Sequence, residues 1–352
     1  MQSVYFLLVP VPRKIQHMSL ADLKRRFQKG ATEVTGIDFG KSAIKVVRLH
    51  KNGDTFVLDG AELLEPLYEG GGFTVPQSLK ARYAALALSS PSATAKLLTF
   101  PGAIEPAFES SLARNLGLES RSEDRMAYRI ITEGTARVES RVLAAAIPEA
   151  DAAPVMAFFA TGLPAPCSLE LAPLAALTAF EAGPVLHGSS PAAAMIDFGT
   201  ESSTLSIFHK RTLVLLRRFD FGTVKLLGRV VSALHIDAET ALNILSDNAF
   251  DISELITEIM SPLASQLIVS RDFVERRENC TLKQLHCIGG VTTSPAAMHE
   301  LERSLNIEVS TFDPFTIPML QTSAVDSSSE NLQHWRFTAA IGAALAALQE
   351  ES

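Results

Sequence analysis

The sequence predicts a two-lobed α/β fold built by duplication, with a smaller subdomain inserted between the copies. Three observations carry that prediction. The tetrapeptide Ile37-Asp38-Phe39-Gly40 returns as Ile196-Asp197-Phe198-Gly199. Each copy follows a short apolar run and precedes two strand-like runs joined by a polar turn, so the repeat covers three strands. A further glycine element, Ile288-Gly289-Gly290-Val291, stands at a strand-to-helix junction.

Taken in order, residues 1–32 read as an N-terminal extension. Residues 4–9 are apolar but few, are followed by Pro10 and Pro12, and lack a preceding basic residue, which makes a poor signal peptide. A more ordinary opening begins at Met18, and 19–29 has the spacing of a short basic amphipathic helix, either solvated or able to touch a membrane or a partner. From 34 to 49 the pattern is strand, turn, strand; Asn52-Gly53 marks a hairpin and 55–58 a third strand. After Gly70-Gly71-Gly72, the pattern predicts a helix over 77–83, a buried strand over 84–89 and another strand over 95–100. A helix over 105–118, a charged segment to 125, strands over 128–133 and 137–146, and a helix over 149–161 complete the insertion.

Residues 169–180, rich in Leu and Ala, read as a linking helix. The second copy supplies strands at 193–196, 204–208 and 212–216, and Phe219-Asp220-Phe221-Gly222-Thr223 opens a helix that runs to 234. Helices follow at 238–246 and 251–277, the latter with Asp251 or Ser253 as N-cap. Then come a strand over 285–288, a helix over 295–305, a strand over 307–309, a polar loop over 323–330 and a closing helix over 338–348. Gly342 in that Ala-rich helix predicts close packing against a neighbour.

Composition bounds the function. With 352 residues, 47% hydrophobic and 20% charged, the chain is an ordinary globular protein of two-domain size. A net charge of −8 argues against a nucleic-acid or anionic-membrane surface, though not against a small basic pocket. Cys167, Cys280 and Cys287 are scattered and odd in number, which fits a reducing cytoplasm rather than a disulfide framework or a structural zinc site. No apolar run approaches the ~20 residues that span a bilayer. GxSxG, Walker A and HExxH patterns are absent.

The repeated motif suggests chemistry. A glycine two residues after a strand-end Asp lets backbone N–H groups turn toward phosphate oxygens, while the carboxylate holds Mg²⁺ through water. Lys45, further along the first hairpin, can neutralise a phosphate as a point charge. The alternative is that Asp38 and Asp197 only satisfy turn amides. Two copies on separate lobes, with Gly289-Gly290 as a third backbone element, favour a shared nucleotide cleft. His286 and Cys287 adjoin on a predicted strand and point to opposite faces, which is poor ligand geometry.

This order of elements resembles the actin-like (ribonuclease H-like) ATPase superfamily: first phosphate hairpin, inserted subdomain, linking helix, second phosphate hairpin, helical segment, Gly-Gly element, closing helix. The position of the insertion is similar to that of the FtsA/PilM branch, which includes type IV pilus assembly proteins. The resemblance covers roughly residues 33–349 and rests on Gly36-Ile37-Asp38-Phe39-Gly40-Lys41-Ser42-Ala43-Ile44-Lys45, Ile196-Asp197-Phe198-Gly199, the helix from Gln266 to Phe273, and Ile288-Gly289-Gly290. It implies a first lobe of 33–90 and 166–188 with a closing helix at 331–349, an FtsA/PilM-type insertion at 91–165, and a second lobe at 189–330.

Carried over by position, Asp38, Gly40, Lys41 and Ser42 would form the first phosphate loop, with Lys45 as its lysine. Asp197, Gly199 and Thr200 would form the second, and Gly289 and Gly290 would face an adenosine. Asp38 and Asp197 would hold Mg²⁺ through water. Glu170, at the start of the linking helix, would stand near an attacking water, and helix capping accounts for it equally well. The sequence departs from the branch at Leu242 and Leu245, where relatives carry an acidic and a basic residue toward the nucleoside, at the bulky acidic Glu201, and in the segment after Glu105.

The resemblance implies a cytoplasmic scaffold of type IV pilus or related secretion assembly. It would bind ATP-Mg in the interlobe cleft and the cytoplasmic N-terminal tail of a PilN-like single-span inner-membrane protein. Other pilus assembly proteins would be partners, nucleic acid would not, and the membrane would be met only through partners. Activity would be at most slow ATP hydrolysis. The alternatives are a pseudo-ATPase scaffold that binds no nucleotide, and a sugar or acetate kinase of the same fold, which needs a carboxylate base for an acceptor hydroxyl.

Overall fold

The computed structural model describes residues 31–67, 71–104, 108–118, 124–188, 191–247, 250–322 and 333–349. Its first strand, β1 (Glu33–Phe39), is buried at every position after Glu33, as expected of a strand covered on both faces. β1 pairs antiparallel with β2 (Ile44–Asn52) and parallel with β4 (Tyr83–Leu88). With β3 (Thr55–Leu64), β8 (Ala165–Leu171) and β14 (Leu320–Thr322) they form a six-stranded sheet in the order β14-β3-β2-β1-β4-β8.

Two helices of small residues seal this sheet. α3 (Ala172–Ala182) and α8 (Thr338–Gln349) are Ala-rich and buried around most of their circumference. Small side chains let backbones approach closely. A Cβ on Gly342 of α8 would collide with the carbonyl oxygen of Ala175 in α3, and one on Gly36 of β1 would collide with that of Ala340. The closing helix therefore lies directly on β1 and α3, as Gly342 foretold.

The insertion has its own sheet, β5-β7-β6, from β5 (Thr94–Phe100), β6 (Asp124–Thr132) and β7 (Ser140–Pro148). Helix α1 (Phe108–Leu116) packs Phe108, Leu112 and Leu116 on Val142, Ala144 and Ala146 of β7. Helix α2 (Glu149–Ala157) follows β7 and ends beside an aromatic cluster. There Phe39, at the end of β1, meets Phe73, Phe158 and Phe159 with ring centroids 5.0, 6.4 and 6.3 Å away. Arg129 of β6 also forms a two-pronged ion pair with Glu181 of α3, the shorter contact 2.8 Å.

Described residues up to Ala182 and from Pro314 onward make one compact unit, and Gly183–Asp313 another. The second unit repeats the first. Its sheet runs β11-β10-β9-β12-β13, from β9 (Ala192–Phe198), β10 (Ser203–His209), β11 (Thr212–Phe219), β12 (Gln284–Gly289) and β13 (Glu308–Thr311). That is the order of β3-β2-β1-β4-β8, with the same pairing senses at β1 and β9. Helices α4 (Thr223–Leu234), α5 (Ala238–Ser246), α6 (Ser253–Glu278) and α7 (Pro295–Leu305) accompany it. No helix among the described residues is long and apolar enough to cross a membrane.

The structure corrects several expectations. The linking helix begins at Ala172, and Ala165–Leu171 is a strand, so Glu170 caps no helix. Parallel pairing with β4 buries Ser168, Leu169, Glu170 and Leu171 alike, which hides the strand in a Leu/Ala-rich run. The helix over 77–83 shrinks to one turn at Gln77–Leu79. The second lobe stops at Asp313 rather than 330, because β14 hydrogen-bonds β3 in the first unit, and it starts at Gly183 rather than 189. Helix α6 takes Ile252 as its N-cap position, with Asp251 accepting a 3.0 Å bond from the Ser253 amide. The N-terminal extension to residue 30 and the loop over 323–330 lie outside the described residues.

Candidate functional site

In the first unit the candidate residues gather at the end of β1. Asp38 is the penultimate residue of that strand and lies directly across from Lys45 on β2. Lys45 Nζ is 2.9 Å from Asp38 Oδ2, with the two side chains 14% and 7% exposed. Asp38 Oδ1 is buried and accepts no hydrogen bond. A Cβ on Gly40 would stand 2.5 Å from Lys45 Nζ and 2.9 Å from the Ala43 carbonyl, so only glycine fits the turn beneath the lysine. Lys41 and Ser42 are exposed in the same turn.

Glu170 joins this row from two strands away. Asp38 is in register with Ala87 of β4, and Ala87 with Glu170 of β8. Residues in register share a face, and two strand spacings put the two carboxylate-bearing residues about 10 Å apart. Both are buried. A buried acceptor without a donor calls for one, and a metal-bound water or a hydrated phosphate supplies it. The first loop therefore fits Mg²⁺ with a phosphate: Asp38 through Oδ1, Lys45 as the cation, Gly40 for close backbone approach.

In the second unit the second motif and the glycine pair converge. Asp197 is in register with Thr204 of β10 and Ile288 of β12, and Gly289 with Phe198. Thr204 thus takes the place that Lys45 holds in the first copy. The loop after β9 is tied to the start of α4: the Thr223 amide donates to the Gly199 carbonyl and the Val224 amide to the Thr200 carbonyl, both at 3.0 Å. Ser203 Oγ donates to the Phe221 carbonyl at 2.5 Å. Each glycine here is demanded by neighbouring protein. A Cβ on Gly199 would stand 2.8 Å from the Ser202 carbonyl and one on Gly222 would stand 2.5 Å from that of Thr200. Gly289, at φ +89°, would strike the Phe198 backbone, and Gly290 the Thr223 side chain.

Gly222 and Thr223 are therefore part of this node, and the sequence reading passed them over as a helix opening. The signal was present: Asp220-Phe221-Gly222-Thr223 repeats Asp197-Phe198-Gly199-Thr200 and is the third Asp-Phe-Gly in the chain, after Asp38-Phe39-Gly40. On α5, Leu245 is buried in the core of the unit, whereas Leu242 is 47% exposed. His286 and Cys287 are buried on β12, with His286 Nδ1 3.1 Å from Ser310 Oγ.

The strand order, the repeated hairpins and the insertion define the class: an actin-like α/β fold with an FtsA/PilM-type inserted subdomain. A chain of the PilM-PilN type IV pilus biogenesis complex has this fold. It matches 90% of this chain and 99% of its own length at a TM-score of 0.73 and 20% identity. A protein of actin-like ATPase fold and unknown function from Bacteroides thetaiotaomicron matches 83% of this chain and 96% of its own (TM-score 0.46, 10% identity). The ethanolamine utilization protein EutJ from Carboxydothermus hydrogenoformans matches 89% of each (TM-score 0.43, 15% identity). No protein-family model matches the chain, and neither does any curated protein sequence.

Proposed function

We propose that the protein is an actin-like cytoplasmic scaffold of type IV pilus or related secretion assembly. The observation that carries this reading is the fold shared, almost end to end, with a chain of the PilM-PilN complex. Its partner is then the cytoplasmic N-terminal tail of a PilN-like single-span inner-membrane protein, through which the scaffold reaches the membrane. ATP with Mg²⁺ is the proposed cofactor, held by Asp38, Gly40, Lys41, Ser42 and Lys45 of the first unit and by Asp197, Gly199 and Thr200 of the second. Gly289 and Gly290 stand beside that second loop on the nucleoside side. Bound Mg²⁺ would neutralise phosphate charge; Asp38 would hold and orient its waters, and Glu170, in the same row, would position a water near them.

A scaffold that binds no nucleotide is the second reading, and one observation favours it: Lys45 and Asp38 already neutralise each other. Calorimetry with Mg-ATP, alone and after saturation with the tail peptide of a membrane partner encoded nearby, tests both. ATP binding by the wild type that is lost in Asp38→Asn supports the first reading. Tail binding without ATP heat moves the assignment to the second. Absence of tail binding, with or without ATP, sinks the scaffold itself.

A further inference from the structure

The two hairpins share one plan, but their outer edges are treated differently. Thr55-Phe56-Val57-Leu58 opens β3 and Thr212-Leu213-Val214-Leu215 opens β11, each straight after the turn. In the first unit a further strand covers that edge: β14 pairs parallel with Phe56, Val57 and Leu58, and the Phe56 amide donates to the Met319 carbonyl at 2.8 Å. In the second unit β11 is the last strand of its sheet, and no described strand pairs with its outer side. Each hairpin carries one bulge, between Arg48 and Leu49 in the first and between Ile207 and Phe208 in the second, and the first still accepts β14. Residues 212–216 include no proline or charged side chain of the kind that blunts a sheet edge.

A helix flank stands beside this edge. On α6 the Ser270 hydroxyl accepts a 2.9 Å bond from Arg217 of β11, so Ser270 faces the strand. Glu278, at the end of α6, meets His209 beside the turn at 3.7 Å, so the helix runs back along β11. Successive helical residues turn by about 100°. Arg271, to one side of Ser270, reaches the Leu305 carbonyl at the end of α7, which packs on β13 at the opposite edge of the sheet. Val269, to the other side, therefore points outward past β11. Phe273 and Arg276 continue its stripe at helical spacings of four and three. Val269 is 62% exposed and Phe273 49%, with Arg277 over the Phe273 ring. Arg276 is exposed as well, and no described carboxylate pairs with it.

We infer that the outer edge of β11 and this flank of α6 form a docking site for an extended segment of a partner protein, apolar at alternate residues and ending in acidic ones. The segment joins the sheet as a sixth strand, as β14 joins β3 in the first unit. Main-chain hydrogen bonds hold it along residues 213–215, an apolar side chain covers Val269 and Phe273, and a carboxylate meets Arg276. Residues 213–215 lie toward the turn of the hairpin, whereas the Asp197 loop meets its other end, where Ser203 pairs with both Phe198 and Phe219. The inference therefore stands apart from nucleotide binding.

The test is fluorescence anisotropy of the intact protein with a labelled heptapeptide of alternating valine and threonine with a glutamate at each end. Two analogues are N-methylated, one on every odd amide and the other on every even amide. Only alternate N–H groups of an added strand face its neighbour, so one analogue is expected to lose binding and the other to keep it. The parent peptide is expected to bind with a Kd below about 1 mM, and at least about tenfold more weakly to Phe273→Ser, whose melting temperature should match the wild type because the side chain is half exposed. A lysine-ended peptide is expected to bind more weakly than the parent. Absence of parent binding, equal effects of the two methylation patterns, unchanged binding to Phe273→Ser, or equal binding of the lysine-ended peptide would each overturn the inference. So would a dimer in sedimentation that excludes the peptide and dissociates in Phe273→Ser, which would give the edge to a second copy of this chain.

Discussion

Lys45 Nζ lies 2.9 Å from Asp38 Oδ2, across the β1–β2 pairing and over Gly40. In the duplicate hairpin the residue across from Asp197 is Thr204. The two loops have therefore diverged in charge while keeping one backbone plan. The first holds a carboxylate and a cation in contact, and the second a carboxylate opposite a hydroxyl.

This pair should behave as a buried one. Removing one member of a buried ion pair leaves a desolvated charge, which costs about 3–5 kcal/mol, whereas removing both together costs much less. Lys45→Met is expected to destabilise the protein by about 3 kcal/mol, and Asp38→Asn with Lys45→Met to recover most of that loss. Urea unfolding of the two variants checks it. A double variant no more stable than Lys45→Met would show that the contact is not what Lys45 contributes.

Two helical glycines should respond in opposite directions to alanine. Gly342 of α8 faces the Ala175 carbonyl so closely that a methyl forces α3 and α8 apart, and overpacking of this kind costs about 1–3 kcal/mol. Gly228 of α4 has nothing within 4 Å of its Cβ position, so alanine there removes only the flexibility of glycine in a helix and gains about 0.5–1 kcal/mol. Thermal melts of Gly342→Ala and Gly228→Ala are expected to shift down and up respectively.

The same physics explains how much could be read from the sequence. The two hairpins, α5, α7 and the closing helix were legible because their apolar spacing is local and short polar turns separate the hairpin strands, with Asn52-Gly53 in the first copy and Lys210-Arg211 in the second. Strand β8 was not, since its burial comes from β4 and covering layers that local periodicity does not encode, and the run Leu169–Ala182 looks helical throughout. β14 is three residues long and exists through its pairing with β3, a contact between distant parts of the chain. At the site, the Asp-Phe-Gly copies were visible. The Lys45–Asp38 pair and the packing of Gly289 and Gly290 against Phe198 and Thr223 needed coordinates, because no spacing rule says which atom a glycine must clear.

The buried His286 gives the fold a pH dependence whose sign follows from its surroundings. Burial holds its imidazole below the ordinary value of 6.5, while the Glu308 carboxylate pulls it partly back. Ser310 Oγ meets Nδ1 at 3.1 Å. Because the folded protein resists the proton, the unfolded chain takes it up first as pH falls. Stability is therefore at its full value above about pH 6.5, declines as pH drops below it, and levels off once the folded-state pKa is passed. Replacing His286 by Gln keeps a polar side chain of similar reach and removes the titration. Urea midpoints between pH 5 and pH 8 are expected to rise less steeply for His286→Gln than for the wild type, and the difference should lie on the acid side of 6.5. Parallel curves across that range would mean that His286 titrates alike in the folded and unfolded chains.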